Sequence, residues 1–152
     1  MDLSHLDEIP VERARGFKAL PTIFDWRDTG DVTPVKDQGT CGTCWAFGTA
    51  SVLESAVSIG ESTTCDFSEQ DLALCVARSW TYLYDDADDP CNAGGNSFQA
   101  TEVFVKKGAV DESVNPYDTS CLFCDGSCTC LWNQPEKTAT GYRYVTLSLI
   151  HI

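Results

Sequence analysis

Residues 38–47 have the sequence QGTCGTCWAF, in which two cysteines lie three positions apart and an apolar run follows the second. A helix is predicted to begin at about Thr43, so Cys44 falls in its first turn. Unpaired backbone N–H groups and the helix dipole favour negative charge there, which suits a thiolate nucleophile. The side-chain amide of Gln38 could donate to an oxyanion together with the backbone N–H of Cys44. Taken alone, the spacing of Cys41 and Cys44 is also typical of a redox pair, a metal site or a structural disulfide.

Hydrophobic periodicity predicts three helices along the chain. The first covers about 43–59 and stops near Gly60, the second follows Ser68 as its N-cap, and the third covers about 97–107. The residues predicted to face the core are Ala46, Ala50, Leu53 and Val57 in the first helix, and Phe98, Thr101, Phe104 and Val105 in the third. A concentration of Tyr, Val and Thr predicts a strand over about 138–149.

The composition narrows the class of protein. A net charge of -13 disfavours nucleic acid as a partner, because phosphates need Lys and Arg contacts. The apolar runs are short, so no membrane-spanning segment is predicted. Nine cysteines indicate an oxidising compartment, and their odd number leaves at least one thiol unpaired. The first residues show no secretory signal, which leads us to expect that the natural N-terminus lies upstream.

Five stretches of the chain resemble papain and the lysosomal cathepsins. They are DWR at 25–27, VTPVKDQG at 32–39, CGTCWAF at 41–47, FSEQDL at 67–72 and CNAGG at 91–95. Thr43 replaces the Ser or Ala that the family's cysteine signature carries before the nucleophile. Ala93 is an insertion relative to the family's Cys-Asn-Gly-Gly sequence.

This resemblance implies an α+β, papain-like fold. The chain is expected to hold mainly the helical left (N-terminal) domain with about three helices, and to lack most of the β-rich right domain. The resemblance further implies a thiol protease, a cysteine endopeptidase with Cys44 as nucleophile and Gln38 as oxyanion-hole donor. The residues implied to bind substrate are Gly94, Gly95, Asn96 and Trp45. Asn96 and Ser97 replace larger apolar residues of relatives, so the preferred P2 side chain stays open, as does the choice between endo- and exopeptidase action. No cofactor and no metal is expected.

The family pattern also implies two disulfides, Cys41–Cys91 and Cys75–Cys130. It leaves four other cysteines unexplained, which are Cys65, Cys121, Cys124 and Cys128. These four could form two further disulfides. The dense group of cysteines within residues 121–130 is also compatible with a zinc or iron–sulfur site, although the oxidising context favours disulfides.

The resemblance divides the chain into three parts. Residues 1–19 are expected to be the tail of an inhibitory propeptide, with a disordered tail as the alternative. Residues 20–146 are expected to form the N-terminal domain and the start of the right domain. Residues 147–152 match the translated end of a sequencing adapter and are interpreted as a candidate artefact.

The catalytic histidine and asparagine of the family lie about 130–150 residues after the nucleophile. The 152-residue chain ends 108 residues after Cys44, and neither of its two histidines can be assigned this role. We therefore expect a truncated and inactive fragment of a peptidase.

The expected partners are peptide and protein substrates and the protein's own propeptide, which would keep a zymogen inactive. The protein is expected to be a monomer that is lysosomal, vacuolar or secreted. Two other functions stay open. One is a non-catalytic papain-like binding module, and the other is a metal or redox module built on the cysteine-dense loop.

Overall fold

The computed structural model describes residues 21–76, 91, 94–122 and 135–141. Within these residues a 3-10 helix, Trp26–Thr29, precedes four α-helices, which are α1 (Cys44–Glu61), α2 (Glu69–Val76), α3 (Ser97–Lys106) and α4 (Thr119–Leu122). The described extended segments pair at two isolated antiparallel bridges, Phe67 with Asp111 and Ala109 with Lys137. Most of the predicted strand at 138–149 lies outside the described residues. No described helix is long and apolar enough to cross a membrane.

The core lies where α1, α2 and α3 pack against one another. Helix α1 contributes Ala46 and Ala50, and α3 contributes Ala100, all three fully buried. Small side chains at these positions allow the helix axes to approach closely. The larger buried side chains around them include Phe67, Leu72, Val103 and Phe104. The predicted inward face of α1 is confirmed, with Val57 buried and Leu53 packed partly buried against the core.

The end of α1 differs from the prediction. Gly60 lies within the last turn of the helix, which continues to Glu61. Ser62 then adopts a left-handed conformation with φ 53°, and its N–H donates to the carbonyl of Ser58 at 2.9 Å. The left-handed cap residue is Ser62 and not Gly60, so a prediction based on the glycine placed the end of α1 too early.

The buried face of α3 also differs from the prediction. Phe98 was expected to face the core, yet it is 46% exposed. The buried residues are Ala100, Val103 and Phe104, whereas Thr101 and Val105 are half-buried. The prediction assumed that the large aromatic side chain of Phe98 would be buried. In the structure the small side chain of Ala100 is buried instead, where α3 packs against the other helices.

The start of α2 buries a run of polar residues that a sequence pattern would place at the surface. Ser68 Oγ accepts from the N–H of Asp71 at 2.9 Å, as an N-cap does, and donates to the carbonyl of Asn115 at 2.6 Å. Gln70 Oε1 accepts from the N–H of Asp118 at 3.1 Å. These hydrogen bonds hold the loop that precedes α4 against α2.

A lysine-centred ionic cluster connects the segment before α1 with α1 and α2. Lys36 Nζ lies 3.2 Å from Glu54 Oε1, 2.8 Å from Glu69 Oε1 and 2.6 Å from Asp66 Oδ1. Burial raises the pKa of Glu69 to about 7, although the ammonium of Lys36 opposes this. Burial alone would lower the pKa of Lys36, but its hydrogen bonds to Asp66 and Glu69 outweigh that effect and raise it.

Candidate active site

Cys44 is the first residue of α1, and its thiol is free and exposed. Thr43 is the N-cap residue, but its side chain makes no capping hydrogen bond. Its hydroxyl instead lies 2.6 Å from the hydroxyl of Tyr117. The carbonyl of Thr43 accepts from the N–H groups of Ala46 at 2.8 Å and Phe47 at 3.3 Å, so backbone bonds close the first turn of α1.

The turn before α1 is tied to the chain at Cys91. Cys41 and Cys91 form a disulfide with their Cα atoms 4.5 Å apart, which is the pairing implied by the family pattern. The N–H of Gly42 donates to the carbonyl of Cys91 at 3.0 Å. A Cβ atom at Gly42 would lie only 2.4 Å from that carbonyl oxygen, so the close approach requires glycine. Together these contacts fix the backbone that leads into Cys44.

Gln38 is half-buried and held at both its side chain and its backbone. Its Nε2 donates to the carbonyl of Cys41 at 2.8 Å. Its own carbonyl accepts from the hydroxyl of Tyr117 at 3.0 Å. The side chain that the sequence indicates as an oxyanion donor is thus bonded to the same short turn that carries Cys44.

Of the two predicted substrate-binding glycines, Gly95 lies against Trp45. A Cβ atom at Gly95 would come within 2.3 Å of Cε2 of the Trp45 ring, so the backbone at this exposed position rests directly on the indole. Gly94 has φ +65°, in the left-handed region. Trp45 is only 7% exposed, so in this structure it supports the glycine backbone from within the core.

The remaining predictions for the site concern Asn96, the second disulfide and the cysteine-dense loop. Asn96 is the N-cap of α3, and its Oδ1 accepts from the N–H of Gln99 at 3.0 Å. Of the predicted second disulfide, the side chain of Cys75 and the whole of Cys130 lie outside the described part of the chain, as does most of the cysteine-dense loop. Among the described residues, no group of three or more His, Cys, Asp or Glu side chains could hold a metal ion.

Tyr117 is the residue at this site that the sequence analysis missed. Its hydroxyl contacts lie 74 and 79 residues away along the chain, at Thr43 and Gln38. Its ring packs edge-on against Phe47 of α1, with ring centroids 4.8 Å apart. No local pattern in the sequence distinguishes this tyrosine, because its role depends on long-range contacts alone.

Comparison with known proteins supplies the family of this chain. The sequence model of the papain family of cysteine proteases matches residues 20–148. A cysteine protease of Blomia tropicalis is 37% identical over 112 residues, covering 72% of this chain and 32% of the relative. Mouse pro-cathepsin H is 37% identical over 113 residues, covering 72% of this chain and 32% of the relative. The chain belongs to the papain family of cysteine proteases, and it spans about a third of the length of these curated relatives.

A solved structure supports the same fold. The bromelain protease of Ananas comosus, solved in complex with the E64 inhibitor, aligns with a TM-score of 0.62 at 32% identity, covering 80% of this chain and 50% of that one. The predicted papain-like fold, seen here as its helical N-terminal part, is therefore confirmed.

Proposed function

We propose that the protein is a cysteine peptidase that cleaves peptide bonds through an acyl-enzyme formed on Cys44. The observation that carries this proposal is a free, exposed thiol at the first position of α1, preceded by a turn that a disulfide fixes. Family membership supports the same chemistry. A deprotonated thiol is the nucleophilic form of cysteine, and the exposure of Cys44 leaves its sulfur accessible to a substrate carbonyl.

The proposed reaction begins when the Cys44 thiolate attacks the scissile carbonyl carbon. A C–S bond forms and the π electrons of the carbonyl move onto its oxygen. The backbone N–H of Cys44 and the amide of Gln38 would donate to this oxyanion. A primary amide carries two N–H groups, so Gln38 can keep its bond to the Cys41 carbonyl with one and serve the oxyanion with the other.

The tetrahedral intermediate then expels the amine, which takes up a proton, and leaves a thioester on Cys44. Water attacks the thioester, releases the carboxylic acid product and regenerates the thiol. Both stages need a group that takes and returns a proton. We propose that this group is an imidazole outside the described residues, in keeping with the family pattern.

Substrate would bind as an extended strand along the backbone of Gly94 and Gly95. The indole of Trp45 beneath Gly95 would keep this edge rigid. The side chain of Asn96 caps α3, so it would offer a small polar surface to the neighbouring specificity pocket. We propose peptides and proteins as substrates.

We propose that residues 1–19 belong to an inhibitory propeptide, so that the protein is made as a zymogen. We also propose that the protein acts as a monomer. The disulfide Cys41–Cys91 supports an oxidising destination, which for this family means a lysosome, a vacuole or the cell exterior.

The test compares cysteine variants of the full-length protein on a fluorogenic dipeptide substrate. Cys44→Ser is expected to lower kcat by more than about 1000-fold, because the thiolate is lost. Cys65→Ser is the matched control, since Cys65 is the other free thiol of the described residues, and it should keep full activity. Gln38→Ala is expected to lower kcat by about 100-fold. Full activity in Cys44→Ser would disprove the proposal.

A further inference from the structure

The hydroxyl of Tyr117 connects the two ends of the turn at residues 38–43, which leads into Cys44 and is called the nucleophile turn below. It lies 3.0 Å from the carbonyl of Gln38 and 2.6 Å from the hydroxyl of Thr43. A carbonyl can only accept, so the Tyr117 proton must be donated to Gln38. The Tyr117 oxygen then accepts from Thr43, which gives a directed chain from Thr43 through Tyr117 to Gln38.

Each member of this chain is adjacent to a group that the proposed reaction uses. Thr43 is fully buried and immediately precedes Cys44. Gln38 carries the amide proposed to bind the oxyanion, and that amide is also bonded to Cys41. One tyrosine hydroxyl therefore restrains both the residue before the nucleophile and the backbone of the oxyanion donor.

Tyr117 is itself rigidly held. Its N–H donates to Glu112 Oε1 at 2.7 Å, and its ring packs edge-on against Phe47 one turn into α1. The loop that carries it is anchored to the start of α2 through Ser68 and Gln70. Burial raises the pKa of Tyr117, so the hydroxyl keeps the proton that the bond to Gln38 needs.

We infer that Tyr117 is a positioning residue for catalysis, which sets the amide of Gln38 relative to the Cys44 thiol. This inference rests on the proposed peptidase function. Small displacements of oriented groups lower reaction rates steeply, so loss of the hydroxyl should affect the chemical step while substrate affinity is largely kept.

The test uses Tyr117→Phe in the full-length protein, which removes the hydroxyl and keeps the ring against Phe47. Peptide hydrolysis is expected to lose about 10-fold or more in kcat with little change in KM. Alkylation of Cys44 by iodoacetamide should keep its rate, because that reaction forms no oxyanion. If Tyr117 had only a structural role, the rates of hydrolysis and alkylation would fall together or both stay unchanged, and either result would overturn the inference.

A double-mutant cycle separates action through Gln38 from an independent effect. In a Gln38→Ala background, Tyr117→Phe should cause almost no further loss of kcat. Thr43→Ala should remove the hydrogen bond between Thr43 and Tyr117 and lower kcat, and Thr43→Ser, which keeps a hydroxyl, should restore kcat. An equal loss from Tyr117→Phe in both backgrounds would overturn the inference alone, whereas full activity in Cys44→Ser would overturn the proposed function beneath it.

Discussion

Replacing Lys36 with methionine would leave two buried carboxylates without their shared cation. Lys36 Nζ contacts Glu54 Oε1 and Glu69 Oε1, and both of these side chains are almost fully inaccessible to solvent. The third partner, Asp66, is 61% exposed and can be solvated by water, so it adds little. Removing one partner of a buried ion pair costs about 3–5 kcal/mol, and because Lys36 itself is partly exposed, the expected loss at neutral pH is ~3 kcal/mol.

This loss should depend on pH with a definite sign. Burial raises the pKa of Glu69 from 4.5 to about 7, and its Oε2 is buried with no hydrogen-bond partner among the described residues. The folded state therefore favours the protonated acid, so the stability from this group is complete below about pH 4.5 and is lost as the pH rises through about 7. Without Lys36 the pKa would rise further, which makes the cost of Lys36→Met larger at about pH 7.5 than at about pH 4.5.

Urea denaturation at these two pH values measures the effect as a change in the free energy of unfolding. Lys137→Met is the matched control, because its partner Glu61 is 51% exposed and stays solvated when the lysine is removed. That substitution should cost no more than ~1 kcal/mol at either pH. Equal losses from the two lysine variants at about pH 7.5 would refute the reasoning about the buried cluster.

Three further outcomes are expected. Gly95→Ala should destabilise the protein by ~1–3 kcal/mol, because the new Cβ would clash with Trp45. Gly60→Ala should stabilise α1 by up to ~1 kcal/mol, because no heavy atom lies within 4 Å of the new Cβ. Thermal denaturation checks both variants, and equal changes in their Tm values would contradict this prediction. Cys91→Ser should cost ~2–5 kcal/mol by removing the disulfide to Cys41, and reductant should lower the Tm of the wild type by more than that of the variant. Iodoacetamide should alkylate Cys44 faster than Cys65, because Cys44 is exposed whereas Cys65 is half-buried; peptide mapping of the labelled protein checks this, and faster labelling of Cys65 would contradict it.

Local features of the sequence predicted the helices well because local interactions form them. Ser68 was expected to cap α2, and its Oγ accepts the predicted hydrogen bond from Asp71. The spacing of Ala46, Ala50 and Val57 predicted the buried face of α1. The nucleophile turn also stood out, because two cysteines, a glutamine and two glycines within a few residues form a rare pattern.

Features set by tertiary contacts could not be predicted in this way. Tyr117 acquires its position from hydrogen bonds across more than 70 residues of chain. Glu69 and its polar neighbours at the start of α2 are buried because their partners lie on other segments, which a one-dimensional pattern does not show. Phe98 was misplaced for the related reason that its burial depends on which face of α3 the other helices contact.

The central claim is that peptide hydrolysis passes through a thioester on Cys44. The most direct measurement mixes the full-length protein with a peptide ester, quenches the reaction in acid during the first turnover, and maps the acyl group by mass spectrometry after digestion. The account predicts the acyl mass on the fragment that contains Cys44, and its absence from the Cys44→Ser variant. Turnover with the acyl group on another residue, or with no acyl-enzyme at any quench time, would contradict it.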